Sequence, residues 1–168
     1  GQGARARALR VAGLMARETL AANSRFAMAA ATPSSAGAFL LSRTTVGGNV
    51  SSTGSLPVNY PQTWLRLTRS NTVFTAYASF DGETWASLGS VTLASAASTF
   101  NVGLAINSAN ASQAATARFQ DFGNASGGTF VSDLTLPWEP MGPATRNTGL
   151  VISEIMYHPK PANDLEFV

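Results

Sequence analysis

The chain has 168 residues, of which 45% are hydrophobic and only 12% charged, so it can bury a real core and is not disordered over most of its length. Its pI near 9.5 suggests a nucleic-acid partner, but Arg5, Arg7 and Arg10 carry that signal. Without them eight basic residues face nine acidic ones, which leaves no basic stripe to neutralise phosphates and excludes nucleic acid as an expected partner.

Residues 1–10 (GQGARARALR) lack apolar periodicity and read as an arm or the remnant of a truncated strand. Strand patterns follow at 11–17, 25–32, 36–45, 63–69, 72–80, 83–93, 100–107 and 115–122. Helical propensity over 15–22 is opposed by Gly13 and by the short length. The stretch 47–61 (GGNVSSTGSLPVNYP) reads as a long loop. Phe100, Val102, Leu104 and Ile106 alternate with Asn101, Gly103, Ala105 and Asn107, as in a half-buried strand. Short strands at this spacing, with no helix between them, predict an all-β fold, an antiparallel β-sandwich over 11–123.

The segment 63–85 (TWLRLTRSNTVFTAYASFDGETW) carries the most information. Ser70-Asn71 and Asp81-Gly82 are candidate two-residue turns, because Asn, Asp and Gly tolerate positive φ. Those turns place Trp64 opposite Tyr77, Leu65 opposite Ala76, Leu67 opposite Phe74 and Trp85 opposite Ala78. One face then holds Leu65, Leu67, Phe74, Ala76, Ala78, Phe80 and Trp85, with Val91 and Leu93 beyond, and is a core face. The other is polar except for Trp64 and Tyr77. Leu88 falls on the wrong face, which predicts a bulge near Gly89.

After Asn124 the composition changes to Gly, Pro, Asn and Thr, and 124–149 reads as an interdomain linker. Residues 150–157 (LVISEIMY) then open a strand of a second domain that the sequence does not complete. The chain starts on Gly, shows no signal peptide and ends within a strand pattern, so the expectation is a fragment of a larger protein. It has no Cys, hence neither a disulfide framework nor thiolate metal ligands, and no apolar run long enough to span a membrane.

Ser79, Asp81, Gly82, Thr84 and Trp85 form a shortened Asp-box, S-x-D-G-x-T-W. Its chemistry is local: Asp81 accepts hydrogen bonds from turn amides, Gly82 supplies the turn, Ser79 pairs across to Thr84, and Trp85 plugs the core. Turn architecture accounts for every residue of the motif, so its expected role is structural. The binding candidate is Trp64, Tyr77 and Arg66. Aromatic rings stack on the apolar faces of sugars, and a neighbouring guanidinium donates to hydroxyls. The competing reading is an ordinary cross-strand aromatic pair under the 47–61 loop.

Catalysis is not expected. A retaining glycosidase needs two carboxyls about 5–5.5 Å apart across a cleft, one of them protonated. Asp81 and Glu83 sit in an exposed turn, and Asp164 and Glu166 belong to the incomplete piece. His158 is the sole histidine and cannot build a triad or a His-rich metal site, so neither metal nor cofactor is expected. Gly1-Gln2-Gly3-Ala4-Arg5-Ala6 matches G-x-G-x-x-A by letter alone, with no preceding strand. Sequons at Asn49, Asn110 and Asn124 fall in expected loops.

The run 11–123 resembles the concanavalin A-like and laminin-G-type jelly-roll modules of secreted bacterial proteins. The matching segments are 12–20 (AGLMARETL), 39–45 (FLLSRTT), 63–70 (TWLRLTRS), 74–85 (FTAYASFDGETW), 102–108 (VGLAINS) and 117–123 (ARFQDFG). Such modules have further strands before the first of these segments, so the resemblance implies a sandwich lacking its first strands, with an unpaired edge. The E-x-D-x-x-E strand motif of concanavalin-like glucanases is absent. Residues 150–168 resemble the opening of an immunoglobulin-like lamin-tail domain through Ile152, Glu154, Ile155, Tyr157, Pro159, Asp164, Glu166 and Phe167. Together the resemblances imply an extracellular or cell-surface, non-enzymatic binding or adhesion module. Its implied partners are a polysaccharide or surface glycan and the other domains of the same chain. The alternative is a spacer with no ligand of its own.

Overall fold

The structure is a computed structural model that describes residues 10–33, 37–57, 63–132 and 134. The chain divides into two units after Leu136, and every described residue belongs to the first. Residues 1–9, nearly all of 133–149 and the lamin-tail-like piece, with His158, Asp164 and Glu166, lie outside the described residues.

The described strands are β1 (Val11–Arg17), β2 (Phe26–Ala31), β3 (Ala38–Arg43), β4 (Ser51–Leu56), β5 (Trp64–Ser70), β6 (Val73–Ser79), β7 (Thr84–Thr92), β8 (Asn101–Asn107) and β9 (Thr129–Val131). One sheet has the order β4-β3-β2-β1-β8 and is antiparallel throughout. The second, β5-β6-β7-β9, is antiparallel except for the parallel β7–β9 pair. The two sheets stack face to face, so the protein is an all-β, mainly antiparallel sandwich, the fold class that the strand spacing predicts.

The core follows from the alternation of small and large side chains. Ala27, Ala29, Ala76 and Ala78 are fully buried and leave room for Leu40, Leu56, Phe74, Leu88 and Leu93 between the sheets. The β2 sequence FAMAAA is buried on both faces. Its Phe26, Met28 and Ala30 join Val11 and Phe39 in a second apolar cluster on the opposite side of the first sheet.

Two expected elements change. Within the 47–61 stretch, residues 51–56 form β4, paired antiparallel to β3, instead of a loop. Residues 115–122, expected as a strand, form none. The expected linker also begins too early, because β9 lies inside it and adds a strand to the second sheet.

The hairpin register differs from the expected one in an instructive way. The first turn is Asn71-Thr72, not Ser70-Asn71, with Asn71 at φ 53°. Trp64 therefore faces Ser79, Arg66 faces Tyr77 and Leu67 faces Ala76. This is a shift of two positions, so the faces survive while the partners change. The second turn is longer than two residues, and Ala78 faces Ala86 instead of Trp85. A one-residue slip exchanges faces: Ala86 and Leu88 turn to the core, and Trp85 leaves it. The expected bulge is present at Leu88-Gly89, and beyond it Val91 and Leu93 return to the core.

Arginines tie the loops to the strand ends. Arg25 pairs with Glu18 through two hydrogen bonds of 2.5 and 2.8 Å and also donates to the Ala94 carbonyl. Arg43 donates to the Ala22 carbonyl, and Arg69 to those of Ala97 and Ser98. A planar guanidinium holds its donors in a fixed fork, so one side chain meets several carbonyls in a set geometry. The Arg25 guanidinium and the Ala97 amide hold Glu18 below the usual carboxylate range, and Glu18 raises Arg25 in turn.

Candidate functional site

The Asp-box forms a closed turn. The Asp81 Oδ1 atom accepts from the Thr84 amide at 2.7 Å, the Glu83 amide at 2.8 Å and the Ser79 hydroxyl at 2.8 Å. The Ser79 Oγ, fully buried, accepts from the Gly82 amide at 2.8 Å. These donors, the Thr84 amide first, hold Asp81 far below the usual carboxylate range. Gly82 takes φ 79°, and the rings of Trp64 lie against it. Ser79 does not pair with Thr84 as expected: it faces Trp64 and binds its own turn, while Thr84 binds Asp81.

Trp85 does not plug the core. It stands on the outer face of the second sheet and is nevertheless only 4% exposed. Its cover is the segment 125–131. Arg66 Nη1 donates to the Gly127 carbonyl at 2.7 Å and Nη2 to the Ala125 carbonyl at 3.3 Å. The Thr129 amide donates to the Glu83 carbonyl at 2.8 Å. Gly128 sits so close that a Cβ there would lie 2.7 Å from Trp85 Cδ1 and Nε1. Phe130 meets Tyr77 edge-on at 5.1 Å, and the Arg66 guanidinium lies over both Trp85 and Phe130, at 5.6 and 5.4 Å from the ring centroids. We call this segment the strap.

Of the three expected sugar-binding residues, Arg66 and Tyr77 are cross-strand partners. Trp64 is two positions further along its strand, over the Asp-box turn. All three are half-buried. The cover on this face is the strap and not the 47–61 loop, whose β4 portion belongs to the other sheet. The Arg66 donors expected to meet sugar hydroxyls instead hold strap carbonyls, and Tyr77 packs on Phe130. Strap residues 125–128 (ASGG) have the composition of a linker, and only Phe130 hints at a docking contact.

Trp64 also borders a cavity of ≈ 350 Å³ at the flank of the sandwich, lined with it by Leu14, Leu65, Leu104 and the segment 117–123. Beside the strap, Arg66, Glu83, Trp85 and 125–129 line a second cavity, of ≈ 440 Å³. Among the described residues no cluster of His, Asp and Glu has the make-up of a metal site, and no helix is long and apolar enough to cross a membrane. Comparison of the chain with models of known protein families, with curated proteins and with solved structures finds no match.

Proposed function

We propose that the chain is a non-enzymatic binding or adhesion module of a larger extracellular or cell-surface bacterial protein, with carbohydrate as its ligand. The observation that carries this reading is Trp64, a half-buried indole that lines an open cavity of mixed polar and apolar surface. The resemblances of 11–123 to concanavalin-like jelly rolls and of 150–168 to lamin-tail domains support the extracellular placement and a second domain over 150–168, with the first domain extended to include β9. The state of Asp81 supports the non-enzymatic reading. Its carboxylate is held ionised by turn donors, so it is unsuited to the protonated-acid role that glycoside cleavage requires.

A glycan array with wild type and Trp64→Ala tests the proposal. Binding by wild type that the substitution removes is expected; silence, or binding unchanged by it, contradicts the reading. A spacer with no ligand of its own is the second reading, favoured by the commitment of Arg66 and Tyr77 to the strap. It expects an empty array and a substitution that alters stability alone.

A further inference from the structure

At the β8 flank the sandwich is open. Leu104 faces Leu14, and Val102 faces the core residue Ala16, so these β8 side chains point to the inner face, yet Leu104 is 45% exposed and Val102 62%. The segment 117–123 runs past them without joining either sheet and closes one side of the cavity.

We infer that this flank cavity, and not the strapped face, is the saccharide subsite, and that it takes one neutral sugar ring. The inference rests on the binding reading above and gives it a location. At ≈ 350 Å³ the cavity matches a single ring or little more, at the small end of the roughly 300–1,000 Å³ range of ligand pockets. Leu14, Leu65 and Leu104 offer apolar surface to the C–H face of a sugar, with Trp64 beside them. Arg118, Gln120 and Asp121 line the same cavity and make no hydrogen bond to any described residue.

A guanidinium supplies only donors, a carboxylate only acceptors and an amide both, the set that hydroxyls use. The opposite charges of Arg118 and Asp121 balance, which suits a neutral ligand. Arg66 offers the contrast, its donors being held by Gly127 and Ala125.

Amide NMR titration of the whole 168-residue chain with methyl glycosides of glucose, galactose, mannose and N-acetylglucosamine tests the inference. At least one glycoside should shift the amides of Leu14, Leu104 and 118–121. Arg118→Ala and Asp121→Asn, both at exposed positions, should each weaken that binding by about tenfold, and Leu104→Trp should fill the cavity and abolish it. Shifts confined to Arg66, Tyr77 and Trp85 would overturn the location and leave the binding reading standing. Binding of full strength in all three variants would do the same. No shift with any glycoside overturns the subsite alone if the array shows wild-type binding, and both proposals if the array is silent.

Discussion

The outer face of the β5-β6-β7-β9 sheet and the inner face of β8 both carry large apolar side chains, and the chain treats them differently. On the first, Trp85 is covered by the strap, which is fastened by two Arg66 donors, by a β7–β9 ladder and by a glycine set against the indole. On the second, Leu104 and Val102 stay largely open, and the passing segment 117–123 has no strand pairing to fasten it. Phe119 and Phe122 on that segment remain exposed as well. Apolar surface alone therefore does not draw a loop down. Backbone hydrogen bonds and a cation that gathers carbonyls do. The covered face reads as architecture, and the open one is where a ligand has room.

The largest expected effect separates the two regions by stability. Trp85→Ala should cost about 3–5 kcal/mol in urea unfolding, as for a core aromatic. Leu104→Ala should cost less than about 1 kcal/mol. Equal costs would erase the distinction. Next comes Gly128→Val, which places a side chain against Trp85 at φ 100°. A loss of about 1–3 kcal/mol is expected. In a background with Trp64 and Trp138 replaced by Phe, Trp85 emission should also shift to the red. An unshifted spectrum would mean that the strap does not cover the indole.

The Asp-box sharpens the same comparison through pH. Asp81 has its folded pKa depressed below an unfolded value of about 3.9, so the unfolded chain binds more protons on acidification. Its contribution is complete above that value and is lost as the pH falls below it. Wild type should therefore lose thermal stability below about pH 4 more steeply than Asp81→Asn does. Parallel acid limbs would show that the turn does not depend on the carboxylate.

Much of this was legible in the sequence, and the failures have identifiable causes. β6 and β8 announce themselves by alternation. β4 does not, because Ser51–Leu56 is polar and glycine-bearing and buries only Leu56, its place being set by pairing with β3. The Asp-box was legible as a turn but its length was not. That single residue moved Trp85 from core to outer face and explains why Leu88 had looked misplaced. Trp64, Tyr77 and Arg66 were correctly put on one face. Their cover was not legible, since β9 pairs parallel to a strand 45 residues earlier and leaves no periodic trace in three residues.

Amide hydrogen exchange of the strap against the flank segment tests the central claim most directly. The Thr129 amide, bonded to the Glu83 carbonyl, should be protected, and the amides of 118–122 should exchange at nearly unprotected rates. Thr129 exchanging as fast as 118–122 would contradict the claim that one face is closed by the chain and the other left open.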